Sequence, residues 1–97
     1  MEIIFEGVPL IVSTDGTIQH DFKKAEGIMD VDGSLKLCIH NQYYKFEDIH
    51  AFAFLNYNPR DTNRVVTHIN GIKTDNRVDN LCIENLTIKR KFEKLSI

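Results

Sequence analysis

The sequence has no tryptophan and only two prolines, two cysteines and five glycines in 97 residues. So little Pro and Gly excludes a collagenous or linker-like chain. The cysteines, Cys38 and Cys82, lie far apart in separate apolar runs and not in a C-x-x-C arrangement. That excludes a disulfide framework and argues against a zinc site built on thiols. The expectation is two buried free thiols in a reducing compartment. No apolar run is long enough to span a bilayer, and no signal-peptide pattern is present. A soluble, cytoplasmic protein with no membrane partner is therefore expected. An excess of positive charge is also missing. The net charge of -2 argues against a protein that coats nucleic acid nonspecifically, although a local basic face remains open.

What is present fits one small α+β domain over residues 1–97, with a β-rich part at 1–46, a helix at 47–58 and a compact motif at 64–95. Glu2 to Phe5 and Val8 to Val12 read as a hairpin around Glu6-Gly7, with Pro9 marking the second strand as an edge. Asp15-Gly16 and Asp32-Gly33 are turn signals. Asp21 to Gly27 is polar and reads as a loop or one helical turn. Leu35, Leu37 and Ile39 alternate with Lys36, Cys38 and His40, the pattern of a half-buried strand. The period then changes. Ile49, Phe52 and Ala53 share one helical face, with Asp48 placed to cap the start and Asn58-Pro59 to end it.

The densest stretch is Arg64 to Lys91. His68 sits there on a short apolar strand. A turn-rich loop follows to Asn76, then a short segment ending in Asn80-Leu81, a second strand and a basic helix. In that helix Ile88, Phe92 and Leu95 fall at i, i+4 and i+7. Val66, His68, Ile69, Gly71, Lys73, Asn76, Arg77, Asn80 and Leu81 resemble the ββα-metal core of HNH endonucleases of the phage and intron-encoded kind. The resemblance runs upstream through Val12-Ser13-Thr14-Asp15-Gly16-Thr17-Ile18, through Asp32-Gly33-Ser34-Leu35-Lys36-Leu37 and through Ile49-His50-Ala51-Phe52-Ala53-Phe54. It covers almost the whole chain in order. On this resemblance, the C-terminal helical DNA-reading module that homing enzymes of this kind carry is expected to be missing.

That resemblance implies a phage or viral nuclease fold and double-stranded DNA as partner. It implies His68 as general base, within reach of an attacking water. It implies Asn80 as the residue that pins the loop, with Asn76 and Gly71 in structural roles. It also implies one Mg²⁺ or Mn²⁺ ion, which needs hard oxygen donors. The position before the His, commonly Asp or Asn in the family, holds Thr67. The helix ligand position, aligned without gaps, holds Lys89, whose ammonium repels a cation. A shifted register would bring Asn85 in, so Thr67 and Asn85 are the metal candidates. Lys73, Arg77, Lys89, Arg90, Lys91 and Lys94 form a basic cluster that could track phosphates; a solvated helix face is the plainer explanation. The expectation is an HNH-like DNA-binding protein whose cleavage is weak or lost. The alternative is a phage protein–protein inhibitor or adaptor on the same fold, with dimerisation open.

Overall fold

The computed structural model describes residues 1–86. Three two-residue hairpin turns organise the first half. Strands β1 (Glu2–Phe5) and β2 (Val8–Val12) pair antiparallel around Glu6-Gly7. Strands β3 (Ile18–His20) and β4 (Lys23–Lys24) pair around Asp21-Phe22. Strands β6 (Leu35–Ile39) and β7 (Gln42–Lys45) pair around His40-Asn41. In all three turns both central residues have positive φ, the geometry whose twist matches the flanking strands. Residues 21–27 are thus not the single loop or helical turn expected from sequence. Asp21-Phe22 closes a hairpin without the Asn-Gly or Asp-Gly signature that would have revealed it.

One sheet runs β1-β2-β3-β4 and a second runs β5 (Ile28–Met29)-β6-β7. Strand β2 is internal, which corrects the edge expectation. Pro9 is tolerated because β3 pairs with β2 only at Ile11 and Val12. Helix α1 (Phe46–Phe54) follows β7 directly. Its N-cap position is Lys45, with no side-chain cap bond, so Asp48 does not cap it. The helix stops short of Asn58-Pro59. Asn56 turns left-handed with φ 54, and the Tyr57 amide returns to the Ala51 carbonyl at 3.3 Å.

Helix α1 joins two small cores. Phe46 and Ile49 close a cluster with Phe5, Leu10, Val12, Ile18 and Ile39. Ala51 contributes to a second cluster with Tyr57, Val66 and Leu81. Most aromatic residues are used in this packing. Phe5 meets Tyr44 edge-on at 5.1 Å, Phe54 packs on the first core and Tyr57 is buried in the second, while Phe22, Tyr43 and, in part, Phe52 are left exposed among the described residues. Both cysteines are exposed, against expectation, because each lies on the outward side of its alternating strand.

The second core lies under a two-stranded hairpin, β8 (Arg64–His68) and β9 (Leu81–Asn85). Between them the chain makes a loop and a short 3₁₀ turn, Val78–Asn80. The basic helix read from sequence, with Lys89, Arg90, Lys91 and Lys94, lies outside the described residues.

Candidate functional site

The β8–β9 register determines what this hairpin can hold. His68 stands opposite Leu81 and Thr67 opposite Cys82, while Asn85 stands opposite Arg64 at the far end. Side chains alternate across a strand, so His68, Val66, Leu81 and Ile83 face the core and Thr67, Cys82 and Glu84 face outward. Thr67 donates its hydroxyl to Glu84 Oε1 at 3.3 Å and lies 3.4 Å from the Cys82 carbonyl.

The His68 side chain is 5 % exposed and bounded on both sides. Its Nε2 donates to Asn76 Oδ1 at 2.7 Å. With Asn76 presenting its carbonyl oxygen, Nε2 carries the hydrogen, and in the neutral ring Nδ1 holds the lone pair. That nitrogen faces Glu47 Oε2 at 3.7 Å. Glu47 projects from the first turn of α1 and is 4 % exposed. Burial pushes its carboxyl above the usual range, against the pull of His68 and Lys45. Two buried atoms of this group, Glu47 Oε1 and Asn76 Nδ2, have no hydrogen-bond partner among the described residues.

Asn80 holds the loop as expected. Its Oδ1 accepts from the Asn70 amide at 3.1 Å. Its Nδ2 donates to Asn70 Oδ1 and to the Asp75 carbonyl, both at 2.9 Å. The Ile69 amide in turn bonds the Asn80 carbonyl at 2.8 Å. Gly71 has φ 75, the left-handed turn position its identity suggested. The loop is also braced from the N-terminal half. The Val78 amide donates to the Thr14 carbonyl at 3.0 Å, and Gly16 lies against the backbone of Asn76 and Arg77. His50, fully buried, has Nδ1 at 2.7 Å from the Phe46 carbonyl and Nε2 at 3.2 Å from that of Thr17. Burial lowers its pKa, and the neutral ring has one N–H, enough to donate to only one of these two carbonyls.

Of the basic candidates, Lys73 is exposed. Arg77 already grips Asp75 through Nε at 2.9 Å and Nη2 at 3.0 Å. That fork holds the Asp75 carboxyl down at about 2.

The two metal candidates, Thr67 and Asn85, do not come together. They point to opposite faces. Asn85 lies three positions beyond Cys82, the partner of Thr67, which is roughly 10 Å along a strand. No group of three or more His, Cys, Asp or Glu able to hold a metal occurs among the described residues.

No family model and no curated protein sequence matches the chain. A solved structure does, one described as DNA binding and cleavage by the HNH homing endonuclease I-HmuI. The TM-score is 0.68 at 18 % sequence identity, over 99 % of this chain. The fold is HNH-like. The match covers 59 % of the endonuclease chain, so this chain spans less than two thirds of that protein's length. The HNH-like fold accounts for the placing of His68 and Asn80 at the mouth of the β8–β9 hairpin. Glu47 belongs to no motif and was not anticipated from sequence. Its one signal is spacing. It lies three residues before His50 on the same short helix, a charged residue within a face otherwise given over to packing.

Proposed function

We propose that this protein is an HNH-like DNA-binding module with weak or absent cleavage. The observation that carries the reading is the β8–β9 register, which sends the two ligand candidates Thr67 and Asn85 to opposite faces; no group of three or more His, Cys, Asp or Glu able to hold a metal occurs among the described residues. Phosphodiester hydrolysis by such a fold needs an ion to neutralise charge on the phosphate and the leaving oxygen. A base alone does not supply that. Duplex DNA is the proposed ligand because the structurally similar endonuclease binds DNA. Lys73 and the basic run Lys89, Arg90, Lys91 and Lys94 would supply phosphate contacts, whereas Arg77 is committed to Asp75.

The test is nicking of supercoiled plasmid with Mg²⁺ and then Mn²⁺, beside EDTA and His68→Ala controls, with a duplex gel shift on the same protein. A salt-sensitive shift without metal-dependent nicks is expected. Nicks that need both metal and His68 would overturn the non-cleaving part. No shift at any salt would overturn DNA binding and favour the adaptor reading. One observation already favours that second reading. Exposed Ile4 and Phe22 flank a cavity of about 450 Å³ on the β1–β2–β3 sheet, with Pro9 and Ile11 in its wall.

A further inference from the structure

A general base needs one nitrogen with a lone pair and room for a water at hydrogen-bond distance. In its neutral ring His68 has the first at Nδ1, because Asn76 fixes the hydrogen on Nε2. It lacks the second. Glu47 Oε2 stands 3.7 Å from Nδ1, with both side chains 5 % exposed. That separation is too long for a direct hydrogen bond. It is also too short to admit a bridging water, since two legs of roughly 2.8 Å at an open angle need about 4.5 Å. A carboxylate there, when ionised, would further repel an incoming phosphodiester.

We propose that Glu47 is a plug: its carboxyl, carried on the first turn of α1, occupies the approach to His68 Nδ1 and holds the imidazole out of contact with solvent and phosphate. The inference rests on the non-cleaving reading above and names the residue that enforces it. It also accounts for an otherwise costly arrangement. A carboxyl is buried with Oε1 unpartnered among the described residues, a condition natural cores avoid unless the position is used.

The experiment is carbethoxylation of the whole protein by diethyl pyrocarbonate, without DNA or metal, read at each histidine by mass spectrometry. The reagent acylates an accessible neutral imidazole nitrogen. His40 is exposed and serves as the fast internal standard, and fully buried His50 as the slow one. In the wild type, His68 should react at least about tenfold more slowly than His40, as a group that needs local opening does. Glu47→Gln keeps the shape and should keep His68 protected. Glu47→Ala should bring His68 towards the His40 rate while His50 stays slow. Wild-type His68 reacting as fast as His40 overturns the plug. So does a protected His68 in Glu47→Ala with His50 still protected, since other atoms would then bury the ring. If Glu47→Ala exposes His50 as well, the variant has opened globally. The decision then passes to imidazole ¹⁵N shifts of the wild type and Glu47→Gln, where the Nε2–H tautomer supports the proposal and the Nδ1–H tautomer overturns it. A reactive His68 in a protein that does not nick plasmid overturns the plug alone, whereas His68-dependent nicking overturns the reading beneath it.

Discussion

Asn80→Ala should cost this protein most of its stability while leaving every apolar contact in place. Asn80 is 5 % exposed and its side chain makes three hydrogen bonds across the loop, one accepted and two donated. A net contribution of about 1 kcal/mol for each gives roughly 3 kcal/mol. The stranded groups decide the sign of the correction. The Asn70 amide and the Asp75 carbonyl lose their partners inside a part-buried loop, so relaxation and water recover only part of the loss. The expected loss is thus roughly 2–4 kcal/mol, out of a total of about 5 kcal/mol or little more for so small a domain. In thermal unfolding it corresponds to a Tm lower by about 10–20 °C. Urea denaturation followed by circular dichroism is the assay, with the slope of the transition compared to confirm that only the midpoint has moved. Asn58→Ala is the control. Asn58 also accepts a backbone amide, that of Arg60, but at the surface, and its loss should stay within about 0.5 kcal/mol. An Asn80→Ala midpoint within about 1 kcal/mol of wild type would refute the claim that this side chain holds the loop.

Two further perturbations probe the bracing of the site. Gly16→Ala should destabilise by roughly 2–4 kcal/mol in the same urea assay, because φ is +96° and an added Cβ would lie 2.9 Å from the Asn76 carbonyl carbon; Gly71→Ala, at φ +75° with open space, should cost only about 1 kcal/mol of backbone strain. Equal losses for the two would show that the Gly16 contact does not brace the loop. Asp48 is held at about 6 by burial and then by the neighbouring Glu47 charge, so the folded protein binds this proton more tightly than the unfolded chain does. Its contribution to stability is therefore full below about pH 4 and is lost as pH rises to about 6. Asp48→Asn should raise stability at pH 7 by on the order of 1 kcal/mol, discounted for partial exposure, and should flatten the urea midpoint between about pH 4 and 6; an unchanged slope would refute it.

Legibility in the sequence follows the range of the interactions. The β1–β2 hairpin was readable because Gly7 and the apolar runs are local signals. The β3–β4 hairpin was not, because Phe22 takes a left-handed conformation with φ 63, a cost met by the surrounding pairing and not announced by its own side chain. The start of α1 shifted by one residue because no side chain caps it; the direct run-on from β7 does so instead. The cysteines were misjudged since alternation alone does not say which side of a strand faces a core. At the site, Asn80 and Gly71 were legible because their bonds and φ are confined to a dozen residues of loop. Glu47 was not, because its partner lies twenty-one positions away, and composition rules place a glutamate outside.

The same contrast explains how the loop of this HNH-like fold is shaped by its own hydrogen bonds. The bonds that shape the β8–β9 loop run among Asn70, Asp75, Asn76, Asn80 and His68, and none of them needs an ion. Further support comes from outside the motif, through the Thr14 carbonyl and Gly16. The residue just before His68 is under no such constraint. Thr67 lies on the outward face, and a hydroxyl there finds Glu84 and costs the core nothing. Asn76, by contrast, is 3 % exposed and bonded to His68, so its replacement would strand a buried imidazole hydrogen. Residue 67 can therefore be exchanged at little cost in stability, while His68, Asn76 and Asn80 stay tied to folding. His68 and Asn80, so bonded, speak for the fold. Evidence of cleavage has to come from the donors around the ion and from the space in front of Nδ1.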